Sequence, residues 1–291
     1  MSTPASLARK VDKRLLAEEN EIAVLKVVRQ FGHVRRTELA RAVWPRSPKS
    51  SARIMTQRTV NRMRKMGTLG ERPNSLGGLS LILTNKGVAR LREFGLDAQE
   101  GSELSSIGGP NFFHRTIGTC YLIERSAYGH TALGEYALSR ASRPISRVEL
   151  AERFRKLPDG IVLVPGTERG YDKTVSAADW VEVESSYKPD DEIARILDIA
   201  WKTGAWLNSA ETVILDRVVF VYNKKHRHEV TILNSLRRYL KEHPTENREV
   251  ILNSIVFARC NVDIPLVFRS YEEITALELL RQTGADSQEE E

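Results

Sequence analysis

Glycine and proline divide the first 95 residues into short segments, and this punctuation limits what that part of the chain can form. A broad apolar face from Ile22 to Phe31 indicates a helix that Gly32 ends. A second helix follows Thr37 and ends before Pro45, and a third spans about 51–66. Two short apolar strands then flank a Pro/Asn/Gly turn, and a fourth helix ends near Gly95. This order predicts a winged helix-turn-helix over residues 19–95.

The charge of the chain is unevenly distributed. The 291 residues carry a formal net charge of +6. Residues 1–70 contain 16 basic and 5 acidic residues, a net charge of +11, so the remainder carries −5. A basic N-terminal third on a mildly acidic remainder favours a polyanion as the partner of that third.

The predicted third helix has a basic and amide-rich outer face. Its inward positions are Ala52, Met55 or Thr56, Thr59 or Val60, Met63 and Met66. Its outward positions are Arg53, Gln57, Arg58, Asn61, Arg62, Arg64 and Lys65. Arg, Gln and Asn make paired hydrogen bonds to base edges, whereas Lys and further Arg residues suit phosphates. Double-stranded DNA is therefore the expected partner, with Arg72, Pro73 and Asn74 at the hairpin tip as further contacts.

The rest of the chain predicts a second domain. Residues 1–18 are expected to form a basic arm, 96–110 a Gly/Ser-rich acidic linker, and 281–291 an acidic tail. Between linker and tail, residues 111–280 predict a helix, three strands, a helix, a strand, a helix and a strand. This order indicates a mixed α/β domain, so the whole chain is expected to be α+β.

Acidic residues flank two apolar strands of this second domain. Asp159 follows Pro158 just before the strand 161–164, and Glu182 and Glu184 stand two apart on the next strand. Side chains at positions i and i+2 share a face, so the two glutamates can converge with Asp159 on one divalent ion. Such an ion activates water and neutralises phosphate charge, and Lys188 could contact the phosphate.

These motifs resemble those of a known family. The order of a winged helix, a helix opening with His114 and Arg115, then Pro158-Asp159 and a Val-Glu-Val-Glu strand is similar to that of the replication-relaxation proteins of plasmids and mobile elements. The stretch 81–91 also resembles the closing strand and helix of bacterial winged-helix regulators. The likeness spans about residues 20–200.

The resemblance implies a restriction-endonuclease-like domain of the PD-(D/E)XK type with a central mixed sheet. It implies that Asp159 and Glu182 are ligands of Mg²⁺ or Mn²⁺. Glu184 and Lys188, which the residue pattern itself places beside them, are expected to complete the catalytic set for DNA cleavage. The sequence departs from the family pattern at Glu184, where the motif has lysine.

Three functions stay open at this point. The first is a mobile-element DNA-binding protein with a metal-dependent nuclease domain. The second is a non-catalytic regulator of plasmid replication, transfer or transcription, whose α/β domain mediates dimerisation or partner binding. The third is a scaffold that binds protein only, which the basic third helix disfavours. Acidic residues that alternate with valine are also ordinary on a half-exposed strand.

Other classes are disfavoured by what the sequence lacks. It contains no apolar run near the roughly 18 residues that a membrane span needs, and its first residues have no apolar core of a secretory signal. Neither GxxxxGK[ST] nor GxGxxG occurs. Cys120 and Cys260 stand in apolar contexts, as expected of buried thiols in a reducing cytoplasm. We therefore expect a cytoplasmic protein that does not associate with membranes.

Overall fold

The computed structural model describes residues 12–101, 104, 107–109, 111–139, 144–185, 189–225, 228–263 and 266–285. Lys188, one of the predicted catalytic residues, lies outside these ranges, as do 1–11 of the predicted arm and 286–291 of the predicted tail. The chain divides into two compact units. The first contains 1–72 and 79–103, and the second contains 73–78 and 104–291.

The first unit combines helices with a small sheet. Its elements are α1 Lys13–Phe31, β1 His33–Val34, α2 Arg36–Val43, α3 Lys49–Lys65, β2 Leu69–Pro73, β3 Leu79–Leu83 and α4 Asn85–Arg92. The strand order in the sheet is β1-β3-β2, and β1 pairs antiparallel with β3. The helices bury apolar side chains such as Val24, Leu25 and Met63 in a common core.

Helix α1 begins earlier than the sequence pattern predicts. It starts at Lys13, so residues 13–18 are helical and not part of an arm. The carboxylate of Asp12 accepts a 2.8 Å hydrogen bond from Arg14 N, which satisfies one of the free amides at the helix start. Gly32 follows the helix with φ of +76°, a conformation that glycine adopts without steric cost.

The tip of the β2–β3 hairpin groups with the second unit. Asn74 is buried, and its Oδ1 accepts hydrogen bonds from Leu76 N at 3.0 Å and Gly78 N at 3.2 Å. Ser75 N donates to Ile107 O at 3.2 Å. The Asn74 side chain therefore closes the turn from inside, and its contact with DNA stays a prediction.

The predicted linker is packed where it is described. Ala98 and Ile107 are buried, and Gly101 N donates a 2.9 Å hydrogen bond to Leu83 O. The division between the two units falls within this segment, after residue 103. Two buried apolar residues, Ala98 and Ile107, therefore anchor a segment whose composition is mostly polar.

The second unit is a six-stranded sheet with helices on both faces. Its elements are α5 Phe112–Ala127, β4 Thr131–Gly134, α6 Glu135–Leu138, α7 Arg147–Phe154, β5 Gly160–Pro165, β6 Ser176–Glu184, α8 Asp190–Ala200, β7 Val213–Asn223, α9 His228–Glu242, α10 Arg248–Ser254, β8 Ile255–Asp263, β9 Val267–Thr275 and α11 Ala276–Ala285. A single 3-10 turn, Gly166–Arg169, follows β5.

The sheet is mixed, as the sequence predicts. Its order is β4-β5-β6-β7-β8-β9. The central strands β6, β7 and β8 are parallel, while β4, β5 and β9 add antiparallel strands. Helix α5 packs on one face, and a larger core on the other face joins the sheet to α7 through α11. The α+β class is therefore confirmed.

The second unit differs from the predicted elements in several places, and α7, β9 and α11 have no counterpart among them. The stretch 132–139, expected to be one strand, ends β4 and continues as α6. The stretch 249–262, also expected to be one strand, begins in α10 and becomes β8 only at Ile255. Residues 281–285 belong to α11 and not to an acidic tail. No described helix is long and apolar enough to cross a membrane.

Candidate functional sites

Helix α3 presents the predicted outer face to solvent. The seven side chains expected there are all exposed: Arg53, Gln57, Arg58, Asn61, Arg62, Arg64 and Lys65. Its buried positions are Ala52, Thr56, Thr59, Val60 and Met63. Met66, expected inside, is 41% exposed because the helix ends at Lys65. The face has no acidic residue, since α3 contains neither Asp nor Glu.

The basic residues of this face fall into two groups. Arg62 Nε lies 2.7 Å from Glu21 Oε1, and Arg64 Nη2 lies 3.0 Å from Glu71 Oε2. Arg53, Arg58 and Lys65 form no ion pair within the described part of the chain. Those three cations are therefore not neutralised by a neighbouring carboxylate.

Arg36, at the start of α2, joins α3 to strand β2. Its Nη2 donates a 2.7 Å hydrogen bond to Glu71 Oε1, and Glu71 is largely buried. Its Nη1 donates to Gln57 Oε1 and, at 3.4 Å, to Asn61 Oδ1. Sequence reasoning missed Arg36 because it lies outside the third helix, and only the tertiary structure brings it there.

Arg72, the predicted contact on the hairpin, is half-buried at the end of β2. It has a partner inside the chain. Its role toward DNA stays a prediction.

In the second unit, Asp159 immediately precedes β5 and interacts with helix α5. Its Oδ1 lies 3.1 Å from His114 Nε2, and its Oδ2 accepts a 2.8 Å hydrogen bond from Val183 N. A carboxylate oxygen only accepts, so the Nε2 atom that faces Asp159 is the donor. The other ring nitrogen, Nδ1, lies 3.2 Å from Ser185 Oγ.

Glu182 and Glu184 lie on the opposite side of β6 from helix α5. Val183 faces α5, because a Cβ added at Gly118 of that helix would lie 2.8 Å from Val183 Cγ2. Alternation then turns both glutamates toward the other face, where both are buried. Glu182 Oε1 accepts a 2.7 Å hydrogen bond from Trp180 Nε1, and Oε2 lies 3.1 Å from Lys156 Nζ.

The arrangement of these carboxylates does not fit a divalent metal site. Each oxygen of Asp159 and of Glu182 already faces a nitrogen, and one of those nitrogens is the Lys156 ammonium. A Mg²⁺ ion requires several oxygen ligands aimed at one point. Within the described ranges, no group of three or more His, Cys, Asp or Glu residues is arranged to hold a metal ion. Register alone would have allowed the site, since Asp159 N donates to Val181 O on the adjacent strand.

A buried ionic cluster on the α5 face was not predicted. A register shift between β6 and β7 pairs Asp179 with Arg217 and leaves Asp216 out of the pairing. Arg125 of α5 lies 3.1 Å from Asp179 and 2.8 Å from Glu273 of β9, and Arg169 lies 3.5 Å from both Asp179 and Asp216. These six residues therefore bring three guanidinium groups against three carboxylates.

This cluster changes the protonation behaviour of its members. Burial acts to raise the pKa of Asp179, but the hydrogen bond and charge of Arg217, with Arg125 and Arg169, hold it below its usual value. Burial, reinforced by Glu273, raises the pKa of Tyr121 well above its ordinary range. The balanced charges and full burial of Asp179 indicate a structural role.

Comparison with known proteins adds no relative. No protein-family model matches the chain, and neither a curated protein nor a solved structure does.

Proposed function

We propose that this chain binds duplex DNA through the exposed face of α3. The observation that carries the proposal is the set of cations on that face, Arg53, Arg58 and Lys65, which have no carboxylate partner in the described part of the chain. Placing such groups beside phosphates releases the counterions of the duplex, which favours binding.

The architecture around α3 supports the same proposal. Three helices precede the β2–β3 hairpin, β1 adds a third strand beside β3, and α4 follows. We interpret this order as a winged helix, in which the third helix enters the major groove. In that interpretation the partnered Arg62 and Arg64 stay close to the protein surface, while Arg53 and Arg58 project toward the duplex.

Between the two DNA-related functions suggested by the sequence, we favour the regulator over the nuclease. Asp159 and Glu182 bind different parts of the protein, and their oxygens face nitrogen groups. The second unit then serves partner binding or dimerisation. Membership of the replication-relaxation family, and a role in plasmid replication, transfer or transcription, stay predictions that rest on the motifs.

A salt titration of the full chain on duplex DNA tests this function. We expect the logarithm of the binding constant to fall linearly with the logarithm of salt concentration. Arg58→Ala should weaken binding by about 1–3 kcal/mol if Arg58 contacts a base edge, or reduce the salt slope by about 0.9 if it contacts a phosphate.

Arg195→Ala is the matched control, because Arg195 is an exposed helical arginine of the second unit. It should bind as the unaltered chain does. Salt-independent binding, or unchanged binding when Arg53, Arg58 and Lys65 are all replaced by alanine, would refute the proposal.

A further inference from the structure

Arg36 orients the two amide side chains on the exposed face of α3. Gln57 and Asn61 are one helical turn apart, and both carbonyl oxygens accept from the guanidinium of Arg36. An arginine side chain can only donate hydrogen bonds, so the atom of each amide that faces it must be the oxygen and not the nitrogen. The contact to Gln57 is the shorter of the two, and Gln57 is therefore the more strongly oriented amide.

This orientation determines what the amides can offer to a ligand. With Gln57 Oε1 held against Arg36, the Nε2 group is the end left for an outside partner. The neighbouring cations Arg53 and Arg58 also only donate. Because α3 contains no acidic residue, no carboxylate acceptor of α3 lies beside these donors on the exposed face.

Glu71 holds the orienting group in place. Its two carboxylate oxygens lie 2.7 Å from Arg36 Nη2 and 3.0 Å from Arg64 Nη2, and its side chain is only 9% exposed. Strand β2 thus fixes Arg36, and Arg36 fixes Gln57. Both Glu71 and Arg36 act through another residue and are positioning residues.

We propose that α3 recognises guanine, and discriminates against adenine, at the base contacted by Gln57. This inference rests on the proposed DNA-binding function. Guanine presents two acceptors, N7 and O6, in the major groove, whereas adenine presents one acceptor and one donor. Paired recognition of adenine requires the oxygen and the nitrogen of the amide together, and the hydrogen bond from Arg36 already engages one lone pair of that oxygen and turns it toward the protein. Thymine offers only the O4 acceptor and is the weaker match.

Selection of binding sites from a randomised duplex library, with the full chain, tests this inference. The base contacted by Gln57 is identified as the position whose preference disappears in Gln57→Ala. We expect the unaltered chain to select guanine there. In Arg36→Ala the freed amide can rotate, and the guanine-to-adenine ratio at that position should fall about tenfold. Arg58→Ala is the control, since it should weaken binding without changing that ratio.

Glu71→Gln provides a second variant if Arg36→Ala does not fold, because it keeps the size of the side chain and removes the charge that holds Arg36. It should lower the same ratio. Selection of adenine by the unaltered chain, or an unchanged ratio in the folded variants, would overturn the inference while DNA binding itself stands. If the unaltered chain binds no duplex at all, the proposed function and this inference both fail.

Discussion

Arg217 on β7 donates two hydrogen bonds to Asp179 on β6, one of 2.9 Å from Nε to Oδ1 and one of 2.7 Å from Nη2 to Oδ2. The carboxylate is fully buried, and the paired geometry matches the fork of the guanidinium. The register shift between the two strands makes this pairing possible, because it brings Arg217 rather than Asp216 opposite Asp179.

We predict that Asp179→Asn destabilises the protein strongly. Loss of the carboxylate leaves Glu273 as the shared counterion of the largely buried guanidinium groups of Arg125 and Arg217, and breaking a buried pair costs about 3–5 kcal/mol. Urea unfolding of the full chain measures this change. Asp191→Asn is the control, because its pair with Arg195 is exposed and should matter little. Equal midpoints for the two variants would contradict the assigned structural role.

We predict that the protein loses stability in acid because the Asp179 carboxylate becomes protonated. Its folded-state pKa is lowered, so its contribution is fully present above the ordinary aspartate pKa of about 3.9 and is lost as the pH falls through the folded-state value. The unfolding free energy should therefore drop below about pH 4, more steeply than that of Asp179→Asn. If that variant does not fold, Arg169→Met serves in its place, since it removes one of the three partners. A stability profile unchanged by either substitution would argue against this origin.

Gly87 of α4 lies in a tight contact with the turn before β2, and we predict that an alanine there destabilises the protein. A Cβ at this position would lie 2.2 Å from the backbone oxygen of Thr68, which cannot move aside as a side chain can. Gly87→Ala should therefore cost about 1–3 kcal/mol, the usual range for overpacking. Gly108→Ala is the matched control, since a Cβ there meets no atom of the described residues within 4 Å. Thermal unfolding of both variants decides the matter, and comparable melting temperatures would contradict the contact.

Divalent metal should not stabilise the folded protein through Asp159. The carboxylate oxygens that a metal would need already face nitrogen atoms. Those of Asp159 face His114 and Val183, and those of Glu182 face Trp180 and Lys156. We expect the melting temperature to be the same in Mg²⁺, in Mn²⁺ and in a chelator, and duplex DNA to stay intact. A metal-dependent rise in melting temperature that Asp159→Asn abolishes would restore the nuclease interpretation.

Helical periodicity was sufficient to predict the face of α3. An α-helix repeats every 3.6 residues, so the apolar positions alone determine which side chains face solvent, and Gln57 and Asn61 follow directly from Thr56 and Val60. The end of the helix was less certain, because Met66 is apolar and yet lies beyond the last turn.

The arrangement of Asp159, Glu182 and Glu184 could not be predicted from periodicity in the same way. Strand periodicity correctly placed Glu182 and Glu184 on one face, but it could not show that Asp159 turns toward His114 on α5. Contacts between residues distant in the chain decide that outcome. Arg125 and Glu273 of the buried ionic cluster are 148 positions apart in the chain, so no local sequence pattern could show that they meet.

Helix-to-strand transitions without a breaker were the main source of error in the elements. Between Arg248 and Asp263 no glycine or proline interrupts the chain, and α10 passes directly into β8 at Ile255. The apolar residues there suit either structure, so the sheet itself selects the strand.

The grouping of 73–78 with the second unit has a consequence for dissecting the protein. The polypeptide passes from one unit to the other three times, after residues 72, 78 and 103. A single nick near residue 103 would therefore leave Ser75 on one fragment and its hydrogen-bond partner Ile107 on the other. Fragment boundaries chosen by sequence order alone would cut through a folded unit, so complementation by two co-expressed fragments suits this chain better than expression of either piece by itself.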